Sequence, residues 1–309
     1  MKPQILVLGS SNTDMIIRLD RIPRPGETIL GGEFATAAGG KGANQAVAAA
    51  RAGGAVTFVA RVGRDALGDQ ALAGFVRDGI NVQHVSRDAA QPSGVALIFV
   101  DRSGENSIAV ASGANGRLAL ADVAKASATL SRARMLVLQM ESPLNTVLAA
   151  ARTAKRAGVP VILNPAPARP LPDALYKCVS ILTPNETEAE LLTGIKVDND
   201  DAAARAAGTL IARGVRTVIL TLGARGAFAA TAQSRQLVPG FKVKAVDTTA
   251  AGDVFNGALA VALAEGKPLL EAVRFANAAA ALSVTKPGAQ PSAPRRREIQ
   301  RFLKSNSRT

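Results

Sequence analysis

The stretch Asp247-Thr248-Thr249-Ala250-Ala251-Gly252-Asp253-Val254-Phe255-Asn256-Gly257-Ala258 brings together the parts that phosphoryl transfer needs. Small residues over 250–252 let backbone N–H groups at a helix start approach an anion without side-chain obstruction. Asp253, beside that anion hole, stands where a hydroxyl about to receive a phosphoryl group needs a base. The residues before it, 241–246, are extended and β-prone, and the apolar residues after it predict a helix.

In open α/β sheets, ligands bind at the carboxyl ends of strands, and further polar clusters follow strand-like runs. After residues 5–8 comes Gly9-Ser10-Ser11-Asn12-Thr13-Asp14, whose Asn12 and Asp14 offer an amide and a carboxylate. A carboxylate is suited to hydroxyls that donate to it; the same residues also read as a turn or helix cap. Gly39-Gly40-Lys41-Gly42-Ala43-Asn44-Gln45-Ala46 looks like a Walker loop but fails its test. Position 35 is alanine, and Gly42 stands where Ser or Thr would follow the lysine. It reads as a tight glycine turn opening a helix, with Lys41 and Asn44 available to a polar ligand.

Glu141 closes the run 135–140. Asn185 and Glu188, three apart after 181–184, can organise hydrated magnesium and phosphate oxygens. They also read as an N-cap with a first-turn acid. Thr221-Leu222-Gly223-Ala224-Arg225-Gly226 follows the run 218–221. Its glycines permit close backbone approach to a nucleotide, or simply a hairpin-like turn. The lone histidine and cysteine, His84 and Cys178, read as structural.

The elements that must position these groups alternate along the chain. Residues 5–8, 57–62, 135–138, 161–163, 181–183 and 218–221 read as buried strands, and 43–52, 68–78, 143–157 and 201–213 as helices. That alternation predicts an α/β fold, a mainly parallel sheet with helices on both faces. Two regions break it. Residues 15–19 and 28–34 flank the turn Pro23-Arg24-Pro25-Gly26, and 94–100 and 106–111 flank Asp101-Arg102-Ser103-Gly104. Both read as hairpins without a helix. The expectation is one domain over 1–309, with lid hairpins at about 13–37 and 93–112 that pair into a small sheet.

Composition narrows the function classes. Hydrophobic residues make up 48% and charged residues 20% of 309, an ordinary globular balance. No apolar run approaches the ~18 residues of a membrane span, and the start MKPQILVLGS lacks signal-peptide anatomy. One cysteine excludes an internal disulfide framework and suits a reducing cytosol, so a cytoplasmic location is expected. One histidine and one cysteine argue against a His/Cys zinc site and leave hard cations held by oxygens. The net charge is +13, of which Arg295, Arg296, Arg297, Arg301, Lys304 and Arg308 against Glu298 supply five. Aromatics at 3%, with no tryptophan, leave out the stacking platforms of single-strand binders, so nucleic acid is not the expected partner.

Taken together, GSSNTD, GGKGANQAVAA, SGVALIFVD, NPAPA, TPNETEAELLTG, TLGARGA, DTTAAGDVFNGAL and KPGAQPS resemble the ribokinase-like (PfkB) sugar kinases over nearly the whole chain. The resemblance implies a small β-sheet lid over a ribokinase-like α/β core. It also implies transfer of the ATP γ-phosphoryl group to the 5-hydroxyl of D-ribose. By position, Asn12, Asp14, Gly40, Lys41, Gly42, Asn44 and Glu141 match the sugar-binding set. Asn185, Thr221, Leu222, Gly223, Ala224, Arg225, Gly226 and Asn277 match nucleotide contacts, with Glu188 supporting a magnesium–phosphate network. Ala250, Ala251, Gly252 and Asp253 match the anion hole with its base. Asp247, Thr249, Ser283, Lys286, Gly288 and Ser292 match a monovalent-cation site, usually for potassium, formed mostly by backbone carbonyls.

The family also implies a homodimer paired through the lid. Ala250 stands where the family often has glycine, and the basic tail lies outside its signature. The alternatives are a kinase of the same fold for another sugar or a nucleoside, and a non-catalytic sugar- or nucleotide-sensing protein.

Overall fold

A computed structural model of the chain, describing residues 2–306, carries the apolar runs as short strands of a nine-stranded sheet. In chain order the strands are β1 Gln4–Leu8, β2 Asn12–Arg18, β3 Glu33–Gly39, β4 Ala55–Gly63, β5 Asn81–Asp88, β6 Gly94–Val100 and β7 Asn106–Ala111. They continue with β8 Met135–Leu138, β9 Val161–Leu163, β10 Ile181–Leu182, β11 Thr217–Thr221, β12 Gly226–Thr231 and β13 Arg235–Pro239. The helices are α1 Lys41–Ala52, α2 Ala66–Arg77, α3 Leu120–Leu130, α4 Leu144–Arg156 and α5 Asp173–Tyr176. Then come α6 Glu186–Thr193, α7 Asp200–Ala212, α8 Ala251–Ala264, α9 Leu269–Ser283 and α10 Arg296–Ser305.

The large sheet runs β13-β12-β11-β10-β9-β8-β1-β4-β5, parallel from β11 to β5, with antiparallel pairing only of β12 with β11 and with β13. Alternate residues of each strand feed opposite layers. Ile5, Val7 and Val137 pack with α1, α8 and α9, while Leu6, Leu8, Leu136 and Leu138 pack with α3, α4 and α7. Helices therefore cover both faces, as the sequence predicts.

The second sheet has four strands in the order β3-β2-β6-β7. Its two hairpins join through parallel pairing of β2 with β6, Asp14 lying opposite Ala96. The second hairpin has the strands read from sequence, 94–100 and 106–111. The first does not. Its return strand begins at Glu33 rather than at residue 28, because Gly31 and Gly32 both take positive φ and carry residues 28–32 off the extended path.

Two further elements differ from the sequence reading, which assigns the basic tail no element. Residues 241–246 form no strand; the segment reaches the small-residue turn by donating the Val246 and Asp247 N–H groups to the Val284 carbonyl, at 2.7 and 3.2 Å. The strand before Glu141 stops at Leu138, after which the Met140 N–H turns to the Ala166 carbonyl at 2.8 Å. The basic tail is mostly a docked helix, α10, with Ile299 fully buried and Arg296 paired to Glu265 at 2.5 Å; Arg308 lies outside the described residues.

One contact fixes the geometry of the site. Helices α1 and α8 cross at Gly257, where an added Cβ would stand 2.7 Å from Ala48 Cβ, Ala49 N and Gln45 O. No side chain fits there. The close crossing brings the start of α1 against the first turn of α8.

Candidate active site

Adjacent parallel strands end side by side, about 4.8 Å apart, so the polar residues after β1, β8, β9, β10 and β11 form a row. In that order they are Ser10 to Asp14, Gln139 to Glu141, Asn164, Thr183 to Asn185, and Thr221. At about 4.8 Å per strand the row spans about 20 Å. Helices α1 and α8 start above it.

At the α8 end, Ala250 takes φ 60° and ψ 13°, and no other non-glycine residue among those described has positive φ. An L-residue in this region is strained by roughly 1–2 kcal/mol. The turn spends the Ala251 N–H on Thr248 O at 3.2 Å. The Gly252 and Asp253 N–H groups find no acceptor among the described residues, and no side chain caps the helix. They border a cavity of about 180 Å³ lined also by Lys41, Asn164, Thr183, Asn185, Glu188 and Thr221. Free N–H groups at the positive end of a helix macrodipole make an anion site.

Asp253 is 5% exposed. Its Oδ2 accepts from Asn44 Nδ2 at 3.0 Å and its Oδ1 from Gln45 Nε2 at 2.9 Å. Burial pushes its carboxyl upward, against the pull of Lys41 and the two amide donors. A buried carboxylate with a raised pKa is a stronger base than the free side chain.

The other carboxylates gather around the Lys41 ammonium. Burial acts to lower the Lys41 pKa, but Asp253, Glu141, Glu188 and Asp14 outweigh it and hold the charge on. Burial, then Glu141 and Asp253, push Asp14 up to about 6, with Lys41 opposing. Glu141 Oε2 accepts from Ser10 Oγ at 2.5 Å and from the Lys41 N–H at 2.9 Å. Gly42 N–H reaches Ser10 Oγ at 3.4 Å, and Gly40 caps α1 just ahead of Lys41. Asn12 takes a hydrogen bond on Oδ1 from Asn115 Nδ2 at 2.7 Å, so its amide nitrogen is kept as the donor end. Asn12, Asn115 and Glu141 line a second cavity of about 390 Å³.

Asn185 and Glu188 form a capping box. Asn185 Oδ1 accepts from the Glu188 N–H at 2.7 Å, and the Glu188 carboxylate accepts from Asn185 N and Nδ2 at 3.0 and 3.1 Å. Burial raises the Glu188 pKa. The pair is an N-cap with its first-turn acid, and both residues also line the 180 Å³ cavity. The loop Thr221 to Gly226 is the β11–β12 turn, a 3-10 turn over Gly223–Arg225 whose Arg225 pairs with Glu186 and Asp200, both at 3.3 Å. Asn277 uses its amide on the Val238 and Pro239 carbonyls, at 3.0 and 3.2 Å, and so pins the end of β13.

The residues matched to a cation site lie where 247–249 meets the chain after α9. Asp247 accepts from the Thr249 N–H at 2.9 Å and the Gly288 N–H at 2.8 Å. These donors outweigh burial and hold its carboxyl below the usual range. Ser283 and Ser292 are buried and donate to the Ala280 and Ala289 carbonyls, both at 2.8 Å. Lys286 turns its ammonium to Glu298 at 2.9 Å. No cluster of three or more His, Cys, Asp or Glu side chains suited to a metal occurs among the described residues.

Sequence reading missed Gln45, Asn115, Gln139, Asn164, Thr183 and Asn256. Gln45, Asn164 and Asn256 lay inside quoted motifs, yet amides in a helix or loop give no sign of their partners. Helix α1 is buried on every side from Gly42 to Ala49, and a glutamine inside it has to find hydrogen bonds.

Residues 2–296 match the pfkB family carbohydrate kinase. A ribokinase of Haemophilus influenzae is 46% identical over 98% of this chain and 99% of its own length. A deoxyribokinase of Salmonella typhi is 39% identical over 98% and 99%. A ribokinase of Arabidopsis thaliana, solved with ribose and ATP, superposes with a TM-score of 0.91 at 35% identity, covering 98% of this chain and 99% of that one. The chain belongs to the pfkB family of carbohydrate kinases.

Proposed function

We propose that the chain is an ATP-dependent ribokinase, transferring the γ-phosphoryl group to the 5-hydroxyl of D-ribose. The observation that carries this is the buried Asp253 carboxylate directly after the free Gly252 N–H, in a row shared with Asp14, Glu141 and Lys41. The resemblance to ribokinases along the full chain, and to a structure solved with ribose and ATP, supports the acceptor. The deoxyribokinase relative supports a second reading, the same chemistry on 2-deoxyribose.

The acceptor end holds carboxylates and amides that take and give hydrogen bonds to sugar hydroxyls: Asn12, Asp14, Asn44, Glu141, Lys41 and the backbone of Gly40 and Gly42. The 5-hydroxyl oxygen forms a bond to the γ-phosphorus as the bond to the bridging oxygen of ADP breaks, and its proton passes to Asp253. The transition state is loose, so positioning and charge neutralisation do most of the work. The Gly252 and Asp253 N–H groups, at the end of the Ala250-Ala251 turn, meet the transferring oxygens. Asn185, Asn277 and the loop Thr221, Leu222, Gly223, Ala224, Arg225 and Gly226 border the nucleotide.

Four carboxylates around one lysine leave the site short of positive charge for a triphosphate. Magnesium supplies that charge when bound to the phosphates. Glu188, whose two oxygens accept from Asn185, would be the carboxylate beside such an ion. The oxygen-rich junction of Asp247, Thr249, Ser283, Lys286, Gly288 and Ser292 fits a monovalent cation, probed best with K+. Asp247 ties both segments together, and the Lys286 ammonium points away to Glu298. A cation held there would add its charge to the Asp247 contacts that tie 247–249 to the chain after α9.

The lid hairpins close over the acceptor and exclude water. The edge strand β7 is exposed along its length, with Ile108 and Val110 at 55% and 53%. Pairing of two lids in a homodimer covers it. No helix among the described residues is long and apolar enough to cross a membrane; the lone cysteine fits a cytoplasmic setting.

ADP release from Mg-ATP tests the acceptor, measured with D-ribose, 2-deoxyribose, fructose and adenosine, with and without K+. Ribose-dependent, K+-stimulated turnover is expected, and turnover confined to another acceptor reassigns the pocket. Asp253→Asn lowers kcat by about 10²–10⁴-fold and leaves ribose binding largely intact; wild-type turnover removes Asp253 as the base.

Protonation of Asp14 takes away an acceptor of sugar hydroxyls, so ribose affinity falls as pH drops through about 6. Calorimetry should show Kd rising toward tenfold per pH unit below that point, and Asp14→Asn binding weakly with a flatter profile. A wild-type Kd that holds steady from pH 7 to 5 contradicts this role. Sedimentation equilibrium should give a dimer, converted to monomer by Ile108→Lys; a monomeric wild type ends the lid-pairing proposal.

A further inference from the structure

We propose that Gln45 is a positioning residue for the transfer, locking the Asp253 carboxylate and joining it through a hydrogen-bond ring of buried side chains to the anion-binding turn. The inference rests on reading Asp253 as the base. Gln45 is 0% exposed and lines neither cavity of the site, so any effect it has on the reaction passes through its partners.

Its amide has one orientation. Nε2 spends one proton on Asp253 Oδ1 at 2.9 Å and the other on Asn164 Oδ1 at 3.2 Å, while Oε1 accepts from Gln139 Nε2 at 2.7 Å. A flipped amide would press an oxygen against two other oxygens, so the ionised carboxylate and the Gln139 donor hold the same rotamer.

From Asn164 the path continues. Asn164 Nδ2 donates to Thr183 O at 3.2 Å, Thr183 Oγ1 to Asn256 Oδ1 at 2.7 Å, and Asn256 Nδ2 to Gly252 O at 2.8 Å. Gly252 is the covalent neighbour of Asp253, so the path closes on itself. It crosses α1, the ends of β9 and β10, and the first turn of α8. One ring of buried side chains, closed at the exposed Gly252, thus holds the base and the residue that presents the free N–H, and neither shifts without breaking it.

The charges that face Asp253 set the expected direction. Lys41 from α1 favours its ionised form, while burial and Glu141 oppose it, and Asp14 and Glu188 stand close enough to be felt. Gln45 and Asn44 are the donors that offset burial. Loss of the Gln45 donor therefore raises the Asp253 pKa further and frees the carboxylate to turn.

The test compares Gln45→Met, which keeps the volume, with Gln45→Glu and with Gln139→Met, which removes the donor to Gln45 Oε1 but leaves the Gln45 donor to Asp253. Each is assayed for kcat and KM with D-ribose across pH, and the Asp253 carboxyl is titrated by carbon NMR without acceptor, assigned by its loss in Asp253→Asn. Gln45→Met should lower kcat about 10- to 100-fold with KM near wild type. It should also move the acidic limb of kcat/KM, and the Asp253 titration, to higher pH by about one unit. Gln45→Glu should move both further, and Gln139→Met, which only loosens the Gln45 rotamer, should move both in the same direction by less than Gln45→Met. If either Gln45 variant folds with wild-type kcat, pH profile and Asp253 titration, Gln45 is merely structural and the inference falls. If the wild type itself ignores D-ribose, the acceptor assignment fails, while the NMR titration still decides the role of Gln45.

Discussion

A carboxylate held away from water must be given hydrogen-bond donors by some other part of the chain. Asp253 sits in the first turn of α8 and receives its donors from Asn44 and Gln45, more than 200 positions earlier. That pairing exists only because α1 and α8 cross at Gly257 without a side chain between them. Most of the site follows from the crossing. It places Lys41 beside Asp253, sets the glycine turn ahead of α1 over the end of β1, and aims the open end of α8 into the cavity. A single added methyl group at position 257 would part the helices and pull the donors from the base.

The charges divide the site into two regions of different chemistry. Around Lys41 stand four carboxylates, an environment that receives hydroxyl protons and repels phosphate. One turn away, the strained Ala250 opens a helix whose Gly252 and Asp253 N–H groups find no acceptor among the described residues, an arrangement that attracts phosphate. A neutral polyol and a polyanion are thereby sorted along one row of strand ends. Asp253 belongs to both regions, which is the position a proton acceptor needs between an attacking hydroxyl and the group that moves.

Much of this was written locally in the chain. Residues 135–138, 161–163, 94–100 and 106–111 stand out as strands because short apolar or alternating runs end in turn residues. The motif around Asp253 could be read because a base and small residues at a helix start have a meaning independent of the rest of the fold. What could not be read depended on distant partners. Residues 241–246 are as β-prone as any real strand, but they join no ladder among the described residues, and the Val284 carbonyl at the end of α9 takes the Val246 N–H instead. Gln45 and Asn164 look like ordinary polar residues until the sheet order sets them side by side. The pairing of the two hairpins through β2 and β6 could be anticipated, but where β3 begins was decided by two glycines.

The most direct test of this account is a crystal structure of the chain with D-ribose and a non-hydrolysable ATP analogue. The account predicts the ribose 5-hydroxyl within about 3 Å of the Asp253 carboxylate, in line with the γ-phosphorus, with the Gly252 N–H on a γ-phosphate oxygen. A sugar bound with its 5-hydroxyl turned away from Asp253, or a triphosphate that bypasses the 250–253 turn, would contradict it.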